Sequence, residues 1–80
     1  MDERLKSKNK AVGIKQSLRS VEDGKALKAF IAKDAEERVI KPFEECCTKN
    51  SVEIEYVDLM SELGKLCGIE VDAAVAVLLK

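Results

Sequence analysis

The order of apolar segments along this 80-residue sequence predicts an α/β fold, a three-layer α-β-α sandwich built on a mixed four-stranded sheet. Three observations predict it. Four short apolar runs that are typical of strands alternate with three segments that have the spacing of amphipathic helices. Residues 25–33 are apolar almost without interruption, which is typical of a strand buried on both faces in a partly parallel sheet. Glycine or a potential capping residue stands between most of these segments.

Length and composition predict one domain that spans residues 1–80. Of the 80 residues, 46% are hydrophobic, with four glycines and one proline, which is typical of a folded domain rather than of a disordered segment. Residues 1–9 contain only Met1 and Leu5 as large apolar groups. We therefore expect at best a frayed helical turn there.

Residues 10–13 are predicted to form a strand that leads directly into a short basic helix. The apolar side of this helix consists of Ile14, Leu18 and Val21, and its polar side of Lys15, Gln16 and Arg19. Gly24 is expected to end it, because a helix commonly stops at a glycine in the left-handed conformation. At ~3.6 residues per turn the helix is too short to be stable alone, so the rest of the fold must hold it.

The second helix is predicted to be interrupted by Pro42. Asp34 ends the preceding strand and is expected to cap this helix. Since proline lacks an N–H and disfavours a helical residue before it, we expect a short turn over residues 36–40 and then a helix that begins near Pro42. Asn50 is expected to close that helix in the left-handed conformation.

The last third of the chain is predicted to contain a strand, a helix and a central strand. Residues 51–57 alternate, with Val52, Ile54 and Tyr56 expected in the core and Glu53 and Glu55 in solvent. Asp58 is expected to cap a helix over residues 59–67 that ends at Gly68. Gly64 within it implies close packing or close approach of a partner. Residues 74–79 are apolar throughout and predict a central strand.

Charge is unevenly distributed along the chain, although the formal net charge is only −1. Residues 1–33 carry nine Lys or Arg against four Asp or Glu, whereas residues 34–80 carry five against eleven. Between Lys6 and Arg19 there are five basic residues and no acidic one. This segment is either a solvated basic face or a binding site for a polyanion, and its charge alone leaves both interpretations open.

The residues present argue against an enzyme, a metal site and a membrane span. The sequence has no histidine, no G-x-x-x-x-G-K loop and no G-x-S-x-G elbow, so the usual nucleophile and base pairings are missing. Cys46, Cys47 and Cys67 lack the C-x-x-C spacing of a zinc site and are expected to be reduced and mostly buried. No apolar run approaches the ~20 residues of a membrane helix. We expect a cytoplasmic protein without cofactors.

Phosphate recognition has better support than catalysis. Gly13 lies at a strand-to-helix junction, where the first helical N–H groups are free, and Lys15 and Arg19 flank them. Gln16 can donate and accept hydrogen bonds at once, as recognition of a base edge requires. The loop over residues 68–72 places two branched apolar residues, Ile69 and Val71, in a connection that should be polar. These two residues either pack into the core or are available to a partner.

Three segments, in this order, resemble signatures of the L7Ae/L30e superfamily of kink-turn RNA-binding ribosomal proteins. The G-x-N-E-x-x-K signature resembles Gly13-Ile14-Lys15-Gln16-Ser17-Leu18-Arg19. The strand end Ile31-Ala32-Lys33-Asp34-Ala35 is similar to the corresponding family segment. The second hallmark, L-G-K-x-x-G with the strand that follows, resembles Leu63-Gly64-Lys65-Leu66-Cys67-Gly68-Ile69 and Ala73-Ala74-Val75-Ala76. The Lys15-Gln16 pair replaces the usual Asn and Glu and is similar to the short bacterial stand-alone members.

The resemblance implies the alternating sandwich fold and binding to kink-turns, which are RNA internal loops with a three-nucleotide bulge beside tandem sheared G·A pairs. Gly13 would let the RNA approach the backbone, and Lys15 and Gln16 would address guanine edges. Arg19 and Lys33 would contact phosphates or nearby bases, and residues 69–71 would pack on the bulged nucleotides. The expected RNA-binding residues are Gly13, Ile14, Lys15, Gln16, Arg19, Lys33, Ile69, Glu70 and Val71.

The hypothesis is therefore a monomeric, non-catalytic protein that stabilises kink-turns in ribosomal or other structured RNA, with RNA rather than DNA or membrane as its partner. The alternative is a protein-interaction module of the same fold, which would use the loop over residues 69–71 and the acidic strand around Glu53 and Glu55. The five cations between Lys6 and Arg19 distinguish the two, since a protein-binding module has no need of them.

Overall fold

The computed structural model describes residues 9–80, so the frayed turn expected over residues 1–9 lies outside the described residues apart from Asn9. Seven elements alternate along the described chain, as expected. They are β1 (Lys10–Val12), α1 (Ile14–Glu22), β2 (Ala26–Ala32), α2 (Glu37–Lys49), β3 (Glu53–Val57), α3 (Met60–Cys67) and β4 (Val75–Leu79).

The four strands form one mixed sheet in the order β1-β4-β2-β3. β4 runs antiparallel to both β1 and β2, with Val77 opposite Ala11 on one side and Ala29 on the other. β2 and β3 run parallel, with Ile31 opposite Tyr56. The prediction of a mixed four-stranded sheet with β4 in its interior is therefore confirmed.

The sheet is covered on both faces, which confirms the three-layer prediction. Successive residues of a strand point to opposite faces. Ala29 and Ile31 of β2 accordingly pack with Val21 of α1 and Phe43 of α2 in one core cluster. Phe30 and Ala32 pack with Leu63 and Cys67 of α3 in the other. This two-sided burial is the reason that β2 reads as a continuous apolar run.

Pro42 does not divide the second helix, so the prediction of a break there was wrong. α2 runs from Glu37 to Lys49 with Pro42 inside it. The missing N–H would have bonded the carbonyl of Arg38, an exposed residue four positions earlier, where water can replace the lost donor. Continuity of the helix buries Ile40, Phe43 and Cys47 on one face, and this burial outweighs one hydrogen bond.

Three predicted caps also differ from the structure. Asp34 does not cap α2, whose N-cap is Glu36, but accepts a hydrogen bond of 2.8 Å from the backbone N–H of Met60 at the start of α3. Asp58 makes no capping bond to α3 and lies instead beside Lys33. Asn50 has φ −97°, and the left-handed residue after α2 is Ser51, with φ 58°. Gly68, by contrast, ends α3 in the left-handed conformation as predicted.

Tyr56 lies outside the core, contrary to the alternation predicted for β3. Its side chain is 46% exposed, because β3 is an edge strand and α2 covers this part of the sheet incompletely. The hydroxyl donates to the Glu44 carboxylate, which raises the pKa of Tyr56 above its ordinary value. On the opposite face of the same strand, Glu55 is half-buried and accepts a hydrogen bond of 2.9 Å from the Lys28 ammonium.

The three cysteine thiols are free, as predicted. Cys47 and Cys67 are buried, and Cys46 is half-buried. Burial raises the pKa of the Cys47 thiol to about 11, with Cys46 and Glu44 acting in the same direction. Burial also raises the pKa of Cys67. The thiols of Cys47 and Cys67 are therefore protonated near neutral pH and serve as small apolar core groups.

None of the helices in the described part of the chain has the length and apolar character that crossing a bilayer requires.

Replacing Pro42 with alanine should stabilise the protein by about 2 kcal/mol, because an interior proline costs a helix ~3 kcal/mol and the added unfolded-state freedom offsets part of that gain. The measurement is the free energy of unfolding in urea. Lys41→Ala, at the exposed neighbouring position, is the control and should change it by less than about 0.5 kcal/mol. Destabilisation by Pro42→Ala would contradict this account of α2.

Candidate nucleic-acid interface

One edge of the sheet brings together the segments that the sequence analysis singled out. β1, β2 and β3 end at this edge and β4 begins there, as the strand directions require. Backbone hydrogen bonds join the adjoining loops. The N–H of Gly13 donates to the carbonyl of Val75 at 3.0 Å, and the N–H of Lys33 donates to that of Val57 at 2.7 Å. The N–H of Ala32 likewise donates to the carbonyl of Ala74 at 2.9 Å. The start of α1, the end of β2 and the loop before β4 therefore lie side by side at this end of the sheet, called here the Gly13 edge.

Gly13 is required by the backbone conformation and leaves open space above it. It is the N-cap of α1, with φ 94° and ψ 159°, a region that residues with a Cβ rarely adopt. A Cβ built on Gly13 would meet no atom of the described chain within 4 Å. None of the described residues supplies a side-chain cap to the first turn of α1. A ligand can therefore reach the N–H groups at this helix start.

Helix α1 presents three of the predicted residues to solvent and packs a fourth. The exposed ones are Lys15, Gln16 and Arg19, whereas Ile14 is half-buried against the core. The Arg19 side chain is 86% exposed, and its Nε lies 3.9 Å from the carboxylate of Asp23. Gln16 and Arg19 border a shallow groove of about 410 Å³ on the β1 side of the helix. The polar face predicted for α1 is thus accessible.

Sequence reasoning missed one buried polar residue on the packed face of this helix. Ser17 is fully buried, and its hydroxyl donates to the carbonyl of Ala11 at 3.4 Å. Its position between Ile14 and Val21, three and four residues away, is the signal that it shares their face. The bond joins α1 to β1, beside the apolar packing of Ile14, Leu18 and Val21.

Lys33 lies at the end of β2, and its ammonium is 3.5 Å from the carboxylate of Asp58 at the end of β3. Both side chains are largely exposed. Asp34, the next residue, is held by its bond to Met60 N–H. The loops after β2 and β3 are therefore joined by two polar contacts, and sequence reasoning missed both because it assigned each aspartate to the helix that follows it.

The loop over residues 68–72 lies directly on α3. The N–H of Ile69 donates to the carbonyl of Gly64 at 3.1 Å, and a Cβ built on Gly64 would lie 2.1 Å from the carbonyl oxygen of Val71. The predicted close packing at Gly64 is therefore confirmed. Only a glycine allows the Val71 backbone to approach the helix so closely.

The two apolar residues of this loop have different environments. Ile69 is half-buried and packs against the α3-side core, whereas Val71 is 68% exposed. Glu70 between them is exposed. Of the two alternatives left open for the loop, packing into the core thus applies to Ile69 and availability to a partner applies to Val71. Val71 is the apolar group available to a partner, and Ile69 supports the loop from beneath.

The Gly13 edge carries both signs of charge. Lys15 and Lys33 provide positive charge, but Asp34, Asp58 and Glu70 lie along the same loops. Lys6 and Lys8, which belong to the basic segment of the sequence, lie outside the described residues. Within residues 9–80, no three His, Cys, Asp or Glu side chains are close enough to hold a metal ion. The geometry offers exposed N–H donors, an amide, cations and an apolar loop.

Comparison with known proteins identifies relatives over most of the chain. The model of the ribosomal protein L7Ae/L30e/S12e/Gadd45 family matches residues 1–80. An RNA-binding protein of Caldanaerobacter subterraneus is 48% identical over 67 residues, which are 84% of this chain and 82% of that protein. An RNA-binding protein of Halalkalibacterium halodurans is 45% identical over 69 residues, covering 86% and 84%. The RNA-binding protein YbxF of Geobacillus stearothermophilus is 33% identical over 69 residues, covering 86% and 84%.

A solved structure has the same fold. The Giardia lamblia 15.5kD RNA binding protein superposes with a TM-score of 0.89 at 24% identity, covering 98% of this chain and 69% of that one. At this identity the likeness establishes the architecture.

Replacing Gly64 with alanine should destabilise the protein by about 2 kcal/mol, because the new methyl group would overlap the backbone carbonyl of Val71 and the loop must move. The expected loss exceeds the ~1 kcal/mol that alanine gains over glycine in a helix. Chemical denaturation measures it. Ser61→Ala, at an exposed position of the same helix, should stay within about 0.5 kcal/mol of the original protein. Equal stability of the two variants would show that the loop is not pressed against α3.

Proposed function

The chain belongs to the ribosomal protein L7Ae/L30e/S12e/Gadd45 family, and from this membership we propose that it binds structured RNA and recognises kink-turns through the Gly13 edge. The observation that supports the proposal is the hydrogen bond from Gly13, at the accessible start of α1, to Val75, the first residue of the strand that follows the loop over residues 68–72, called here the Val71 loop. Two RNA features that are adjacent in a kink-turn, the sheared pairs and the bulge, would meet the start of α1 and the Val71 loop.

The start of α1 has the groups that reading a base edge in RNA needs. The RNA backbone or a base can approach Gly13 because no side chain occupies the space above it. Gln16 offers a donor and an acceptor from one amide, and Lys15 offers donors to guanine oxygens and nitrogens. An ordinary A-form major groove is too narrow for such contacts, so a locally distorted RNA helix is the expected target.

The Val71 loop suits an unstacked nucleotide. Val71 is exposed on a loop whose backbone is held against α3, so an extruded base could pack on it without displacing the loop. Single-stranded and bulged bases are the usual targets of sequence-selective RNA contacts. Ile69 would support this surface from the core, and Glu70 would lie at its rim.

Binding would stabilise the bent RNA without any chemical step. A protein that binds only the kinked conformation shifts the RNA population toward it by the difference in affinity between the two conformations. We further propose that the protein acts as a monomer in the cytoplasm and has no catalytic role, as expected from its sequence.

Preference for the tandem G·A pairs is the first test. Replacing both pairs with Watson–Crick pairs in an otherwise identical RNA should weaken binding about hundredfold or more, because each altered pair in a recognised site costs ~1–3 kcal/mol. The measurement is a fluorescence anisotropy titration at physiological salt. Equal affinity for the two RNAs would contradict kink-turn recognition. Binding to neither RNA would favour the alternative of a protein-interaction module.

Replacing Arg19 with alanine should weaken kink-turn binding by about tenfold and reduce the slope of log affinity against log salt by ~0.7–0.9, the value of one phosphate contact. The titration is repeated at several salt concentrations. Lys49→Ala, an exposed cation at the far end of α2, is the matched control and should leave both quantities unchanged. An unaltered salt slope for Arg19→Ala would remove Arg19 from the proposed interface.

A further inference from the structure

Each of the two cations assigned to RNA phosphates already has a carboxylate beside it. The Nε of Arg19 lies 3.9 Å from an Asp23 oxygen, and the Nζ of Lys33 lies 3.5 Å from an Asp58 oxygen. The Arg19 and Asp23 side chains are 86% and 48% exposed, and those of Lys33 and Asp58 are 61% and 77% exposed. The same arrangement, a cation beside a solvent-accessible carboxylate, thus occurs once along α1 and once at the Gly13 edge.

Fold stability accounts for little of the placement of these acids. Exposed ion pairs contribute little to folding because water screens them and the side chains lose freedom. Asp23 is also the C-cap of α1, at the end where the helix dipole disfavours negative charge. Asp58 precedes α3 but supplies no cap, whereas Asp34 does bond the first N–H of that helix. The carboxylates of Asp23 and Asp58 are therefore placed for the cations rather than for the helices.

A carboxylate beside an exposed cation competes with a phosphate for it. Both anions present oxygens to the same guanidinium or ammonium donors, so binding of RNA exchanges one partner for another. The binding free energy gained from each phosphate contact is then the difference between the interaction of the cation with phosphate and its interaction with the carboxylate. Since the pairs are exposed, they separate easily, and RNA can displace the carboxylates without unfolding any part of the protein.

We propose that Asp23 and Asp58 act as phosphate-competing residues, which pair with Arg19 and Lys33 in the free protein and limit its affinity for RNA. The proposal rests on the function proposed above, because it assigns Arg19 and Lys33 to phosphates. It adds two residues to the interface, neither of which touches RNA through an attractive contact. Affinity is set below its electrostatic maximum, which favours release of the RNA.

The test measures the coupling between acid and cation. Asp58→Asn should tighten kink-turn binding by about two- to fivefold, the range of one exposed ion pair, and Asp23→Asn should act in the same direction. Lys33→Gln should weaken binding more in the Asp58→Asn background than in the original protein, because the freed lysine makes the stronger phosphate contact. The same comparison applies to Arg19→Gln with Asp23→Asn. All differences should shrink at high salt.

Glu45→Gln and Glu53→Gln are the matched controls, since both remove a negative charge at an exposed position of α2 or β3 away from the Gly13 edge. Each should change affinity less than Asp58→Asn does, and neither should couple to Lys33. Thermal unfolding of Asp23→Asn and Asp58→Asn should stay within about 4 °C of the original protein. Equal effects of the controls and of Asp58→Asn, or an unchanged effect of Lys33→Gln in the two backgrounds, would overturn the proposal.

The two proposals fail in different ways. Kink-turn recognition fails if the original protein binds the kink-turn RNA and its Watson–Crick counterpart equally. The coupling between Lys33 and Asp58 can then still be measured with either RNA, because it concerns phosphates and not base pairs. That measurement decides the competition proposal. If kink-turn preference is present and the coupling is absent, only the competition proposal is lost.

Discussion

The backbone hydrogen bond from Gly13 to Val75 is the contact on which the proposed interface depends. It joins the start of α1 to the start of β4, the strand that pairs with both β1 and β2. Because β4 is buried between its neighbours, this hydrogen bond attaches the start of α1 to the interior of the sheet. A short helix of nine residues, which would be unstable alone, thereby gains a defined position.

A second constraint acts on the other side of the interface. Gly64 lets the carbonyl of Val71 lie against α3, and Ile69 extends into the core below. The loop is therefore held by backbone packing, and the Val71 side chain remains exposed to solvent. Polar contacts of Asp34 and Asp58 hold the remaining loops of the edge together. An interface built in this way is largely preformed, so RNA binding would cost little conformational entropy in the protein.

Mixed charge along this surface favours recognition by shape and by specific contacts. The basic segment at the start of the chain suggested a uniformly positive face, but the structure places Asp23 beside Arg19 and Asp58 beside Lys33. Lys33 and Asp58 are 25 positions apart and follow different strands, so the sequence concealed this pair, whereas Arg19 and Asp23 are only four positions apart. Non-specific electrostatic attraction for a polyanion is therefore reduced, and the positioned hydrogen-bond donors near Gly13 would contribute a larger share of the RNA recognition.

The sequence by itself determined the alternation of strands and helices, the two-sided burial of β2 and β4, and the end of α3 at Gly68. These follow from local periodicity and backbone sterics, which act within a few residues. Tertiary structure decided what depends on distant partners. Burial of Ile40, Phe43 and Cys47 kept α2 continuous through Pro42, and the edge position of β3 left Tyr56 exposed. The sheet also directed Ile69 inward and Val71 outward and gave Asp58 to Lys33, because only the folded chain brings those groups together.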